Sequence, residues 1–331
     1  MRESLNEKCR LFIENRDVIK SAFPMENAYM HSLCASYFMN RGILATVEGL
    51  KETRKMLKCR LSSFSSFRGS VELSMVAMLY LDGASERTLE DAISVYSLLK
   101  KKFPLSGEYL PVAAMMIAQS MTEDGWEELV ARSRRIYEMM KDEHPFLTSS
   151  EDCVFAVMLA LSQRSDEEII RELEVCYNIL KERFSDRNSV QSLSHVLALV
   201  DADRESAADK CRDTIRLFDA LKEKKQKYGT GYELPTLGVL ATLPCGIDEA
   251  ARDLLEVSDF LKTQKGYGFF GFDRVARMMH AAVILTSEQI GVSEAMEGAA
   301  VNGTISMIAA QHAATCAAIS VSIAASAAAR S

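Results

Sequence analysis

The sequence predicts an all-α fold: an array of about seven antiparallel helical hairpins, an α/α superhelix or solenoid whose closed variant is an α/α toroid. Three observations predict it. A bulky aliphatic residue followed directly by lysine recurs at Lys20, Lys58, Lys100, Lys141, Lys181, Lys222 and Lys262, with gaps of 38, 42, 41, 40, 41 and 40 residues. Four of these pairs carry an aromatic three residues ahead of the aliphatic member, namely Tyr96, Tyr137, Tyr177 and Phe218. Between successive pairs, two kinds of apolar segment alternate. A supersecondary unit that cannot bury its apolar face alone gains a core by stacking on copies of itself, which is what such a period records.

The first segment of each unit has helical spacing. Leu89, Ile93, Tyr96 and Leu99 recur at threes and fours, as do Ile169, Leu173, Cys176 and Leu180, and Cys211, Ile215, Phe218 and Leu221. This is the period of a half-exposed amphipathic helix. A loop rich in Phe, Pro, Gly and Ser follows, and then a segment apolar on nearly all sides: 71–81, 110–118, 153–161, 192–200 and 234–243. Such a run is expected to be a helix buried between neighbours. Pro111 and Pro235 stand early in their segments, where a missing amide hydrogen costs nothing. Thr148 with Glu151 and Ser165 with Glu168 have capping-box spacing. The polar links 82–87, 162–166 and 201–205 are short enough to force antiparallel neighbours. Residues 1–297 are therefore expected to form one repeat domain.

Residues 298–331 break the pattern. From Gly298 to Ala329 there is no Asp, Glu, Lys or Arg, and Ala, Ser, Thr and Ile dominate. The length would allow a membrane span, but Gln311 and His312 sit mid-segment and Ala and Ser contribute little transfer energy. The expectation is a small-residue helix that packs on or caps the array, with membrane insertion and a homodimer seam as the lesser readings.

Composition removes several function classes. Lys and Arg total 39 against 46 Asp and Glu, a net charge of -7, so no global basic field is available to hold a nucleic acid. The 8 cysteines form no C-x-x-C pair and none lies near histidine at ligand spacing. They read as reduced, mostly buried thiols, with no metal site and no cofactor. The first residues, MRESLNEKCRLFIENR, carry charges throughout and do not form a secretory signal. A cytoplasmic location is expected.

The stretch Gly266-Tyr267-Gly268-Phe269-Phe270-Gly271 matches G-x-G-x-x-G, yet it follows a helix instead of a strand and its variable positions are bulky, so a dinucleotide site is rejected. As a loop it is more informative. Tyr267, Phe269, Phe270, Phe272 and Arg274 crowd residues 265–274, and Tyr228 and Tyr232 stand on two glycines one unit earlier. Loops joining first to second helices share one edge of a stacked array, which also brings Phe64, Phe67 and Arg68 there. Tyr, Phe and Arg dominate interface hot spots, so this edge is the predicted binding surface. Closure of the hairpin core is the competing reading and the preferred one for Phe103, Phe146 and Phe184.

Carboxylates Glu108, Glu151, Glu233 and Asp273 lie near the starts of second helices. Glu108, Glu233 and Asp273 are the candidates for acid and base in a ring-shaped hydrolase, although capping and dipole compensation account for each singly. Asp273, Arg277 and His280 share a helical face that could hold an anion; a surface charge network is the commoner outcome.

At residues 144–162, 190–200, 232–243 and 264–271, and at Phe67-Arg68-Gly69, the chain resembles a bacterial family known as domain of unknown function four thousand and three. The resemblance runs over essentially the whole length. It implies a cytoplasmic bacterial protein without established activity, and carries no catalytic residue across. The leading expectation is a protein- or peptide-binding scaffold; the alternative is an α/α-toroid enzyme acting on a carbohydrate or an isoprenoid-like molecule.

Overall fold

The computed structural model describes residues 1–105, 109–162, 164–200, 206–243, 245–268 and 271–297, with side chains as far as residue 289. Among them run fourteen α-helices and no strand. The odd-numbered helices are α1 (Glu3–Ala22), α3 (Val47–Arg60), α5 (Glu86–Lys102), α7 (Trp126–Glu143), α9 (Asp166–Leu180), α11 (Ala207–Glu223) and α13 (Ile247–Lys262). Each of the seven recurring lysines falls in the last turn of one of these, or one residue beyond it. The even-numbered helices are α2 (Ala28–Asn40), α4 (Glu72–Leu81), α6 (Leu110–Ser120), α8 (Asp152–Ala160), α10 (Arg187–Leu199), α12 (Leu234–Ala241) and α14 (Arg274–Glu297).

Burial follows the sequence pattern. Every residue of α8 and of α12 is buried, whereas α5 buries only Leu89, Ala92, Val95 and Leu99. A helix apolar on all sides has no face to give to water, while one with a single stripe covers its neighbour and leaves the rest solvated. Pro111 and Pro235 occupy the first turns of α6 and α12, as their missing amides allow.

The helices sort into two compact units. Among the described residues one comprises Glu14–Asp166 and the other Met1–Ile13 with Glu167–Glu297, so α1 contributes to both. In the first unit α2, α4, α6 and α8 pack neighbour to neighbour, with α3 against α4, α5 against α6 and α7, and α7 against α8. In the second, α10, α12 and α14 form the corresponding row, with α11 and α13 packed over it.

An aromatic latch recurs between hairpins. The residue closing one hairpin meets an aromatic near the end of the next odd-numbered helix, edge-on: Phe67 with Tyr96 at 5.4 Å, Phe103 with Tyr137 at 5.4 Å, and Phe184 with Phe218 at 5.1 Å. Arg134 lies over both rings of the second pair and Arg183 over both of the third. The aromatic three residues ahead of the recurring aliphatic residue is therefore part of a packing device that repeats with the unit.

Cations from neighbouring helices finish two even-numbered helices. Arg132 on α7 donates to the carbonyls of Ala160 at 2.9 Å and Ser162 at 2.7 Å, and pairs with Asp166 at 2.8 Å. Lys210 on α11 donates to Leu197 O at 2.7 Å and Val200 O at 2.9 Å and pairs with Glu172. Both supply the donors that terminal carbonyls lack.

Two helix starts differ from expectation. α10 begins at Arg187, five residues before the apolar run, because the Asp186 carboxylate accepts from Ser189 N at 3.1 Å and caps an extra turn. α8 begins at Asp152 instead of after Thr148, whose hydroxyl donates to Met140 O at 3.1 Å. α9 starts directly after Ser165, where the second capping box placed it. No helix among the described residues is long and apolar enough to cross a membrane. Residues 298–331, expected to cap the array, lie outside the described residues.

Candidate interaction edge

Four large apolar side chains in the first unit stand almost wholly in water: Met25 at 96% exposure, Phe64 at 99%, Leu105 at 91% and Phe146 at 99%. Each belongs to a loop joining an odd-numbered helix to the even-numbered helix after it, and the four loops are consecutive.

Local sequence explains the placement. Phe23-Pro24-Met25, Phe103-Pro104-Leu105 and His144-Pro145-Phe146 repeat one arrangement five residues after the recurring lysine. Phe23 and Phe103 turn inward and are buried at 5% and 1% exposure, the proline sets the next φ, and the apolar residue lands on the corner. Turn hydrogen bonds confirm the geometry: Glu26 N donates to Phe23 O, Ser65 N to Ser62 O and Leu147 N to His144 O, each at 3.1 Å. Met25, Phe64 and Phe146 are thus the third residues of four-residue turns. None has a positive φ, so these turns are of the type I class, in which that position points outward.

The loops are pinned to their neighbours. Arg54 pairs with Glu26 at 2.7 Å and also with Glu72 at the start of α4. Ser66 hydrogen-bonds Tyr96 at 2.8 Å, and the Tyr109 hydroxyl donates to Glu151 at 3.4 Å. Lys100 folds over its own turn to donate to Pro104 O at 2.9 Å. Tips held by buried closers and cross-hairpin bonds lose little freedom on contact with a surface.

The residues singled out from sequence are mostly inside. Tyr228 is fully buried, its hydroxyl 2.8 Å from Thr236 Oγ1, and burial pushes its phenol above the ordinary range. Tyr267 is 2% exposed and hydrogen-bonds His280 Nδ1 at 2.8 Å; Phe272, also buried, stands edge-on to the same imidazole at 4.8 Å. Phe67 is 2% exposed, Tyr232 and Arg68 are half-buried, and Arg274 is exposed. The expected aromatic edge at 228–232 and 265–274 is therefore corrected: Tyr228, Tyr267 and Phe272 close their hairpins over the core. Phe146 is corrected in the opposite sense, since it closes nothing. Phe269, Phe270 and Glu108 lie outside the described residues.

The candidate carboxylates are structurally engaged. Glu233 is 3% exposed and folds back to accept from Gly231 N at 2.9 Å. Asp273 caps α14 by accepting from Ala276 N at 2.8 Å. Arg277 donates to Ser258 at 3.1 Å while His280 faces Tyr267, so the three residues of the expected anion pocket serve separate contacts. Among the described residues no group of His, Cys, Asp and Glu could hold a metal ion.

Sequence reasoning placed Phe64 on the shared loop edge but missed Met25 and Leu105 as tips. The available signal was the proline, three of the chain's 6 prolines each preceding a bulky apolar residue at one register of the repeat.

Comparison with known proteins adds the following. Residues 15–313 match the model of a family described as protein of unknown function (DUF4003). An uncharacterized protein of Bacillus subtilis (strain 168), YeaA, is 24% identical over 275 residues, covering 82% of this chain and 80% of its own. No solved structure matches.

Proposed function

We propose, on the premise that the chain belongs to the family of proteins of unknown function DUF4003, that it is a binding scaffold whose contact edge is the row of hairpin turns in the Glu14–Asp166 unit. The observation that carries this reading is the outward placement of Met25, Phe64, Leu105 and Phe146, five or six residues past the recurring lysine in four successive loops. Burying a Met, Leu or Phe side chain contributes about 1.5–3 kcal/mol, and each tip forgoes it while the residue two positions before Met25 or Leu105 takes it. Closure needs the inner phenylalanine and not the tip. Large apolar side chains left exposed at the corners of successive hairpins are what a contact surface presents, and a function in docking gives the tips their reason.

This reading keeps the binding scaffold expected from the sequence and moves its edge from 228–232 and 265–274 to the turns at 23–26, 62–65, 103–105 and 144–147. A ring enzyme built on Glu233 and Asp273 draws no support from their contacts, since one is folded into its own loop and the other caps a helix.

The test is a comparison of wild type with a Phe64→Ser/Phe146→Ser variant, both tagged and gently purified from the same host. Native mass spectrometry and lipid extraction of each should show co-purifying material retained by wild type and lost by the variant. Identical retention by both would overturn the assignment of the edge.

A further inference from the structure

We infer that the surface apposed to this edge is an anionic lipid bilayer, with the four tips entering its interfacial layer. The inference rests on the docking reading above and identifies what is docked.

Charge complementarity selects the occupant. Between the last turn of each odd-numbered helix and its tip, the first unit exposes Lys20, Lys58, Arg60, Lys100, Lys101, Lys102 and Lys141 against Asp142 and Glu143; Arg60 is paired with Glu86 and Glu90 and Lys58 with Glu72, which leaves Lys20, Lys100, Lys101, Lys102 and Lys141 to face outward. The chain as a whole has a net charge of -7, so the edge is basic against the trend of the molecule. Compensation of helix carboxyl ends accounts for part of this, but it gives no reason for the apolar residue that follows in each loop. Cations beside apolar side chains are the combination that binds an anionic membrane surface.

Shape points the same way. Each tip is at least 91% exposed and stands on its own turn, and stacked helices are spaced about 8–10 Å apart. A protein partner would have to supply a separate socket for each tip, because hot spots act in packed, desolvated pockets. A bilayer interface accepts all four without complementarity of shape. Rigid corners suit it further, since the turns that carry Met25, Phe64 and Phe146 are closed by backbone hydrogen bonds. Among the described residues the second unit lacks the arrangement: Phe184 is followed by Ser185 and Asp186, and Tyr267 is buried.

Co-sedimentation of the whole chain with phosphatidylcholine vesicles, and with vesicles of phosphatidylcholine and phosphatidylglycerol, tests the inference. Wild type should bind the anionic vesicles, bind the neutral ones about tenfold or more weakly, and dissociate as salt is raised. Phe64→Ser/Phe146→Ser and, separately, Lys101→Glu/Lys102→Glu should each lower binding to anionic vesicles by about tenfold or more. Both variants change only exposed side chains, and thermal unfolding followed by circular dichroism should match wild type. Absence of binding by wild type, or equal binding by folded variants, overturns the proposal. A defined protein that co-purifies with wild type, is lost with Phe64→Ser/Phe146→Ser and is accompanied by no vesicle binding overturns the lipid assignment alone. If nothing distinguishes wild type from the variants in either experiment, the docking reading fails with it.

Discussion

Phe103 and Tyr137 stand edge-on at 5.4 Å, 84° apart in plane, and join the closure of one hairpin to the odd-numbered helix of the next. Phe103 is 1% exposed. The contact therefore links two levels of the structure, ending α5 and holding α7 beside it.

Phe103→Ala should destabilise the protein by about 3–5 kcal/mol, as loss of a buried Phe does. The edge-on geometry adds a smaller, separable part. A double-mutant cycle with Phe103→Leu and Tyr137→Leu should return a coupling of about 0.5–1.5 kcal/mol in urea denaturation. Strict additivity would mean that the ring geometry follows from packing and adds nothing to it.

Lys210 is 2% exposed and holds two carbonyls at the end of α10 together with Glu172. Lys210→Met keeps the volume and removes every donor. It should cost about 3–5 kcal/mol, because the Glu172 carboxylate and the helix end lose their partner together. Adding Glu172→Gln should recover part of that loss. Recovery distinguishes a stranded charge from a simple packing defect, and denaturation curves of the three variants read it directly.

Asp152 gives the fold a pH dependence with a definite sign. Burial raises its carboxyl from 3.8 to about 7; Ser149 N, donating to it, opposes the shift and the charge of Glu151 adds to it. The folded state then holds a proton that the unfolded state has released between about pH 4 and 7, so stability falls as pH rises through that window. A shift of this size corresponds to a cost on the order of 4 kcal/mol above pH 7. Asp152→Asn retains an acceptor for Ser149 N and carries no charge. It should be more stable than wild type at pH 8, with the difference shrinking toward pH 5 in chemical denaturation; equal slopes against pH would refute the assignment.

The legible part of this fold was whatever recurs. Leu99, Tyr96 and Lys100 announced the end of α5 by spacing, and the all-apolar run 153–161 announced a buried helix, because both patterns follow from one period and one solvent. What stayed illegible depends on direction. Phe103 and Phe146 look alike in the sequence, each following a helix end and adjoining a proline, yet one lies before the proline and turns in while the other lies after it and turns out. Tyr267 likewise reads as a contact residue until His280, thirteen positions on, is seen to take its hydroxyl. Partners of that kind are set by tertiary packing, and no local pattern encodes them.

Gly271 carries the last prediction. A Cβ at this position would stand 1.9 Å from the carbonyl oxygen of Gly266, a backbone atom held in place by Phe272 N at 2.8 Å. Gly266 itself has φ +94°, open to glycine and strained for other residues. The glycines thus close a tight loop whose product is the burial of Tyr267 and Phe272 against His280. Gly271→Ala cannot be absorbed by a side-chain rotation; the loop must open and the Phe272 to Gly266 hydrogen bond must break. The expected loss is roughly 2–3 kcal/mol in thermal or urea unfolding. Because opening frees the Tyr267 hydroxyl, adding Tyr267→Phe to Gly271→Ala should cost less than adding it to wild type. A full, undiminished cost would show that the Tyr267–His280 bond forms independently of the loop.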